Sequence, residues 1–327
     1  MAIYDINGNL LTEDVIVPSY FDEEMADTIG KVRGYQSEPN LTLFVVTDIH
    51  SYYVSGMETL YKTTINNMRT LLKSVPCDGV VNLGDSIEGY TYASTAQNYG
   101  NLVSNEFRKI EVPYYSIIGN HDDNREHNLS SAERLSVPQR YQVFVNPTRR
   151  VVASADGLNY YVDFDEFKIR TVCLNSVSDY TYKYTTDTCI WFSNVALDTP
   201  DGYGIILCTH VAPVGAWNYN NTTPTNSATI VSALDTYAES KDVIGIICGH
   251  NHVDDVFTSP HHGITLCCEK FENENGDPSK WPEGSVKPTR TAGTYTEDCW
   301  TVAIIRPNSR KINFVRFGSG SDYEISY

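Results

Sequence analysis

Short apolar runs alternate with polar segments through the first part of this chain. Residues 41–46 and 79–83 are largely apolar, which is typical of strands that are buried on both faces of a sheet. Between these two runs, apolar side chains recur mostly at spacings of three and four from about residue 56 to residue 75, which predicts an amphipathic helix. Residues 114–118 are again apolar. The order strand, helix, strand favours parallel crossover connections.

The middle and the end of the chain predict further strands and two hairpins. Residues 204–208 and 243–248 read as buried strands, with a helix near 226–240 between them. Each hairpin consists of two apolar runs on either side of a short polar turn, and the paired runs are 160–164 with 167–174 and 299–305 with 311–317. This part of the chain is therefore expected to be more antiparallel than the first part.

The two ends of the periodic region differ from it in composition. Residues 1–39 are acidic and are predicted to form an N-terminal arm, with a short helix at about 22–32, before a catalytic domain at 40–327. The arm could pack along that domain or against a partner, and the sequence does not choose. Residues 271–296 are polar with several glycines and prolines, so they read as a long surface loop. The chain shows no secretory signal and no apolar run long enough to span a membrane, so we expect a cytoplasmic protein.

Five short polar blocks follow apolar strands directly, and they hold five of the eight histidines of the chain. The blocks are Asp48-Ile49-His50, Gly84-Asp85, Gly119-Asn120-His121-Asp122, Thr209-His210 and Gly249-His250-Asn251-His252. Ligand sites of α/β sheets collect beyond the carboxyl ends of the strands, so we expect these side chains to meet at one rim. The glycines allow tight turns where the side chains must converge.

The side chains of these blocks are typical of a two-metal hydrolytic site. Apart from His121, Asp122 and Asn251 they supply two carboxylates, one amide and four imidazoles. Such mixed ligands suit Mn, Fe, Zn, Co or Ni better than Ca. Two metal ions roughly 3.5 to 4 Å apart can hold both the attacking and the leaving oxygen, and a bound ion lowers the pKa of water from about 15.7 to about 7.

The order of the blocks resembles the calcineurin-like metallophosphoesterase superfamily, with D-x-H, G-D, G-N-H-D, H and G-H-x-H over roughly residues 41–268. The resemblance implies an α/β fold, an αββα sandwich of two mixed sheets flanked by helices, with two metal ions at one rim. It implies that Asp85 bridges the two ions. It further implies that the first ion is held by Asp48, His50 and His252, and the second by Asn120, His210 and His250.

The resemblance also implies roles for the two remaining side chains of the third block. His121 would face the scissile phosphate and either protonate the leaving oxygen or stabilise the phosphoryl group, and Asp122 would hold its imidazole in position. A hydroxide that bridges the two ions would attack phosphorus directly, without a covalent enzyme intermediate. Arg125 follows this block and either binds phosphate or forms a surface salt bridge.

Charge narrows the choice of substrate. The formal net charge of −17 repels polyanions, so extended nucleic acid is a poor substrate and a small phosphoester is expected. The complete third and fifth blocks are similar to those of the phosphodiesterase branch. The alternatives are a phosphomonoesterase, including a protein phosphatase, and a non-catalytic binding protein on the same fold. The sequence leaves the natural substrate, the native metals and the oligomeric state open.

Overall fold

The computed structural model describes residues 17–51, 60–125, 131–268 and 278–327. The helices are α1 (Asp22–Tyr35), α2 (Leu60–Leu72), α3 (Ala93–Arg108), α4 (Val137–Arg140), α5 (Thr186–Trp191) and α6 (Ser227–Ala238). The strands are β1 (Leu41–Val46), β2 (Gly79–Asn82), β3 (Tyr114–Ser116), β4 (Val152–Ala153), β5 (Tyr160–Phe164), β6 (Ile169–Leu174), β7 (Val177–Ser178), β8 (Thr181–Tyr182), β9 (Gly204–Thr209), β10 (Val243–Cys248), β11 (Asp255–Phe257), β12 (Gly263–Thr265), β13 (Cys299–Arg306), β14 (Lys311–Gly318) and β15 (Tyr323–Ser326).

The first sheet has the strand order β15-β14-β13-β1-β2-β3. Strands β1, β2 and β3 are parallel, as the crossover pattern predicted, and their bounds agree closely with the three apolar runs. The closing hairpin β13/β14 is also confirmed, and β13 pairs antiparallel with β1, with Leu41 opposite Ile305. The sequence analysis missed β15, because this edge strand is short and only Ile325 in it is buried.

The second sheet has the strand order β11-β12-β10-β9-β6-β5-β4. Strands β6, β9, β10 and β12 are parallel, whereas β5 pairs antiparallel with β6 and confirms the predicted hairpin. Side chains of β9 alternate between two apolar layers. Ile206 and Cys208 pack in the core between the sheets, while Ile205 and Leu207 pack beneath α5 and α6. Both faces of the strand are buried, which is why its sequence shows an unbroken apolar run.

Helices cover the outer faces of both sheets. Helix α1 contacts β13 and β14, and α2 contacts both α1 and α3 on the same side. Helix α6 packs on β10 of the second sheet. The predicted αββα sandwich of two mixed sheets is therefore confirmed. No helix in the described parts of the chain is long and apolar enough to cross a membrane.

The described part of the N-terminal segment, residues 17–39, packs against the first sheet. Phe21, Met25 and Val32 of this segment are buried in the main core, and the ring centre of Phe21 lies 5.7 Å from that of Phe317. The predicted helix at 22–32 is confirmed and continues to Tyr35. The division of the chain at residue 39 stays a prediction.

Two further segments differ from or extend the sequence analysis. Helix α3 was not predicted, because small and polar residues such as Gly100 and Ser104 lie on its buried face beside Val103 and Phe107, so large apolar side chains recur too rarely in its sequence. The predicted helix at 56–75 is described from Leu60 and ends at Leu72. Within the predicted loop at 271–296, residues 278–296 are described, and Val286 exchanges two backbone hydrogen bonds with Asp254 (2.7 and 2.9 Å). The loop therefore returns to the chain two residues beyond His252.

Candidate metal centre

Predicted ligands in the turns that follow the strands adopt an unusual backbone conformation. Asp48, His50, Asp85, His250 and His252 all have positive φ, between 46° and 72°. A non-glycine residue in the left-handed region costs on the order of 1 kcal/mol or more, and such strain gathers at functional sites. Five such residues at neighbouring strand ends indicate that the backbone is held in this form to aim their side chains inward.

Two glycines allow the turns after β2 and β3 to touch. Gly84 has φ +100°, and a Cβ on it would collide with the backbone of Gly119. A Cβ on Gly119 would in turn collide with the carboxylate of Asp85. The absence of both side chains brings Asp85 directly beside the block that contains Asn120 and His121.

The first cluster joins the block after β1 to the block after β10. His50 Nε2 lies 3.1 Å from His252 Nε2, and His252 Nε2 lies 3.4 Å from Asp48 Oδ1. The Asp48 carboxylate also accepts the backbone N–H of His250 at 3.1 Å. One ligand atom from each of Asp48, His50 and His252 lies within 4.8 Å of the others, so the three could hold one metal ion.

The second cluster joins the blocks after β2, β3, β9 and β10. His210 Nε2 lies 3.0 Å from Asp85 Oδ2 and 3.2 Å from Asn120 Oδ1. Ligand atoms of Asp85, His210 and His250 lie within 4.8 Å of one another. Together with Asn120, these side chains could hold a second metal ion.

Asp85 lies between the two clusters. Its Oδ2 is 3.0 Å from His210 Nε2 in the second cluster and 3.9 Å from His50 Nε2 in the first. Its Oδ1 accepts the backbone N–H of His121 at 2.8 Å, which fixes the orientation of the carboxylate. One oxygen therefore faces both clusters, as a bridging ligand requires.

Hydrogen bonds at the far side of the His210 and His250 imidazoles leave the other nitrogen of each ring available to a metal ion. His210 Nδ1 lies 2.9 Å from the carbonyl oxygen of Leu83, and because a carbonyl only accepts, Nδ1 must donate, so Nε2 is the nitrogen that can exchange its proton for a metal ion. His250 Nε2 is bonded to the hydroxyl of Thr222 at 2.8 Å, which leaves Nδ1. The donor set therefore fits two cations of the transition-metal class.

The charges of the site also fit bound cations. Although burial raises the pKa of Asp48, the hydrogen bond with His252 and the positive charge of His252 and His210 lower it to about 2. The pKa of Asp85 is likewise held well below its usual range, against burial, by His210 and His121. Both groups are thus buried carboxylates at neutral pH. Burial and the charge of His210 lower the pKa of His250 to about 3, so its imidazole is neutral and able to bind a metal ion.

His121 lies at the edge of the first cluster with one nitrogen directed into the site. Its Nδ1 donates to the backbone carbonyl of Glu88 at 2.7 Å, and its Nε2 lies 3.9 Å from Asp85 Oδ2. The ring packs edge-on against His50, with centres 4.6 Å apart. Its Nε2 is therefore available for a proton transfer beside the metal ligands.

Asp122 does not hold the His121 ring, so this part of the sequence-based prediction is wrong. Its Oδ2 accepts the backbone N–H of Gly119 at 2.8 Å, and its Oδ1 accepts those of Ser86 and Ile87 at 2.8 and 3.3 Å. The carboxylate is fully buried and ties the turn after β2 to the turn after β3. Adjacent residues in a tight turn point in different directions, which is why Asp122 lies away from its neighbour's ring.

Removal of this carboxylate should destabilise the fold. We expect Asp122→Ala to lower the free energy of unfolding by about 3 kcal/mol or more, because buried N–H groups lose their acceptor. Asp122→Asn should cost less, since its amide oxygen still accepts. Urea denaturation followed by circular dichroism measures both changes, with Ala in place of the exposed Asp201 as the control. Unchanged stability in Asp122→Ala would contradict the structural role.

Glu88 is a site residue that the sequence analysis did not single out. Its Oε2 lies 3.0 Å from His50 Nδ1, while its backbone carbonyl accepts from His121. Although burial lowers the pKa of His50, the contact with Glu88 raises it overall. One residue thus orients two imidazoles. The available signal was its position three residues after Asp85, in the same turn.

Arg125 lies beside the second cluster. Its side chain is only 10% exposed, and its guanidinium carbon lies 4.8 Å from the ring centre of Tyr182. That ring centre is 5.2 Å from the ring centre of His250. Arg125 Nε is also 4.0 Å from Asp123 Oδ1. The position is close to a predicted ligand, and phosphate binding by Arg125 stays a prediction.

Comparisons with known protein structures agree with this fold. A crystal structure of a dimetal phosphatase from Danio rerio superposes with a TM-score of 0.59 at 13% identity, over 89% of this chain and 100% of that one. A purple acid phosphatase from yellow lupin (Lupinus luteus) seeds gives a TM-score of 0.55 at 13% identity, over 89% of this chain and 54% of that one. At these identities the likeness shows the fold alone. A comparison with curated protein sequences gave no match.

The family follows from the sequence match rather than from these distant structures. The sequence model of the calcineurin-like phosphoesterases matches residues 41–254, about two thirds of the chain. The matched range contains every predicted metal ligand and His121. This chain belongs to the calcineurin-like phosphoesterase family and is a hydrolase that acts on phosphoesters.

Proposed function

We propose that the protein is a metal-dependent phosphodiesterase that acts on a small substrate. Asp48, His50 and His252 would hold one ion, and Asn120, His210 and His250 the other, with Asp85 shared. The observation that carries the proposal is the position of Asp85 Oδ2, which faces His210 at 3.0 Å and His50 at 3.9 Å. Imidazole, amide and carboxylate ligands favour Mn, Fe or Zn.

Two such ions, when bound, supply a nucleophilic hydroxide at neutral pH and neutralise charge on the phosphoryl oxygens. The chain's own residues orient the ligand side chains and supply the proton for the leaving oxygen. The Asp85 carboxylate keeps the two ligand clusters in register through its bond to the His121 amide. The Glu88 carbonyl fixes the proton on His121 Nδ1, so that His121 Nε2 faces the site. When Nε2 is protonated, it can donate that proton to the leaving oxygen.

The charged groups in direct contact with Asp48 and Asp85 favour a diester over a monoester. In the described ranges, the groups within 4.0 Å of Asp48 and Asp85 that can carry positive charge are histidines, not lysines or arginines. A phosphodiester carries one negative charge, and the ions alone can balance it. A monoester dianion would be better served by an additional cation at the same place, as phosphate recognition by arginine illustrates.

The test is a side-by-side measurement of bis-p-nitrophenyl phosphate and p-nitrophenyl phosphate hydrolysis with Mn²⁺ added. We expect a higher kcat/KM for the diester. A preference for the monoester would identify a phosphomonoesterase instead. Absence of turnover of both esters, in protein shown to contain two metal ions, would favour a binding role and contradict the proposal.

A further inference from the structure

Three arginines are gathered around the hairpin of β7 and β8. The guanidinium carbons of Arg134 and Arg140 lie 4.4 and 5.9 Å from the ring centre of Tyr180, and that of Arg125 lies 4.8 Å from the ring centre of Tyr182. The chain has 41 acidic and 24 basic residues, so a concentration of positive charge at one place is not the general character of its surface. Such a concentration indicates an anion partner.

Packing and hydrogen bonds place this arginine group next to the metal centre, on the side of the second cluster. The Tyr182 ring lies 5.2 Å from His250, centre to centre. The two residues that flank Arg134 are bonded to the turn after β3: Leu135 N–H donates to the Asp123 carbonyl at 2.9 Å, and Asn124 Nδ2 donates to the Glu133 carbonyl at 2.8 Å. That turn begins with His121, so Arg134 is held near the predicted catalytic side chain.

Arg140 is the most informative of the three. Its residue is 4% exposed, and neither Nε nor Nη1 has a hydrogen-bond partner within the described residues. The Tyr180 ring offers it a π face but no acceptor atom on that face. A buried guanidinium with unpaired N–H groups is costly, because the ion has lost its hydration. An anion bound beside Arg140 would balance this buried charge.

Neighbouring carboxylates do not neutralise Arg134 and Arg140. Glu133 Oε2 accepts the backbone N–H of Ala93 at 2.7 Å. Asp179 pairs with Lys183 at 3.1 Å. Asp123 Oδ1 lies 4.0 Å from Arg125 Nε, so this carboxylate pairs with Arg125. Arg134 and Arg140 form no ion pair within the described residues, so their charge is available to a ligand.

We propose that Arg134 and Arg140, together with Arg125, form a second anion site beside the metal centre, which binds a phosphate group of the substrate other than the one that is hydrolysed. The guanidinium fork matches the geometry of phosphate oxygens, and the two tyrosine rings hold the forks in place. This inference rests on the proposed phosphodiesterase function. It names the substrate class as small phosphodiesters that carry an additional terminal phosphate.

The kinetic test uses two chromogenic diesters that differ by one phosphate, thymidine 5′-(p-nitrophenyl phosphate) and its 3′-phosphorylated form, on the Mn²⁺-loaded full chain. We expect a kcat/KM about tenfold higher for the phosphorylated diester, from charge-assisted hydrogen bonds to the extra phosphate. In Arg134→Gln this ratio should fall towards about one. A ratio that is the same in Arg134→Gln as in the wild type would overturn the proposal.

The matched control is Arg310→Gln, which makes the same charge change at the other end of the strands. Arg310 lies in the turn between β13 and β14 and pairs with Asp242 on the surface. The substrate ratio should be retained in this variant. Arg140→Lys keeps the buried charge but loses the forked geometry, so its ratio should fall while circular dichroism reports an intact fold.

A binding measurement separates failure of this proposal from failure of the proposed function. Calorimetry compares thymidine 3′,5′-bisphosphate with thymidine 5′-monophosphate on the Mn²⁺-loaded full chain. We expect the bisphosphate to bind about tenfold more tightly, and Arg134→Gln to remove the difference. That result without turnover of either diester would support the anion site and reject the phosphodiesterase function. Turnover of both diesters without tighter binding of the bisphosphate would support the phosphodiesterase function and reject the anion site.

Discussion

Asp85→Asn is expected to lower kcat/KM for bis-p-nitrophenyl phosphate on the order of 10³-fold. The Asp85 Oδ2 atom lies within 4 Å of imidazoles from both clusters, and its negative charge is what a shared metal ligand requires. The amide keeps an acceptor for the His121 N–H, so the fold should persist, but it loses the charge. Kinetics should show the loss of turnover, and mass spectrometry should show a loss of bound metal.

Asp78→Asn is the matched control for this variant. Asp78 directly precedes β2, whereas Asp85 follows it, so the two carboxylates lie near opposite ends of one strand. Asp78 accepts the backbone N–H of Thr42 at 2.8 Å and has no part in the clusters. Its replacement should leave metal content and turnover near the wild-type values. Two bound ions and full turnover in Asp85→Asn would show that the bridging assignment is wrong.

His121→Ala is expected to lower kcat by about 10² to 10⁴-fold while both metal ions are retained. The Nδ1 of His121 is engaged by the Glu88 carbonyl, so Nε2 is the nitrogen that can pass a proton to the leaving oxygen. Because p-nitrophenolate is a weak base, its departure needs little protonation. The loss should therefore be smaller for a p-nitrophenyl ester than for an alkyl ester with the same phosphate.

His261→Ala serves as the control for a lost imidazole. His261 lies 3.1 Å from Asp235 on the second sheet's outer side and belongs to neither cluster. Equal losses for aryl and alkyl esters in His121→Ala would assign His121 to phosphoryl stabilisation rather than to proton donation. Unchanged turnover would reject a catalytic role, and loss of one metal ion would identify His121 as a ligand.

The fold and the ligand blocks could be predicted from the sequence because both depend on local order. A strand buried on both faces must be apolar throughout, so β1, β2, β9 and β10 were visible as unbroken runs. The polar residues that follow such strands lie at the carboxyl edge of a parallel sheet, independently of the conformation of the connecting loops. Helix α3 lacked such a run, because Ala96, Gly100 and Ser104 make up much of its buried face.

Only the tertiary structure determined which side chains are hydrogen-bonded to or packed against each other. The sequence placed Asp122 next to His121, yet the ring is bonded to Glu88, 33 residues earlier, and the Asp122 carboxylate to backbone amides of another turn. The arginines around Tyr180 are likewise separated along the chain and meet only when the hairpin folds over them. Sequence spacing determines which strand end a residue occupies, whereas its partner depends on how neighbouring turns pack. That packing is set by contacts between residues far apart in the chain.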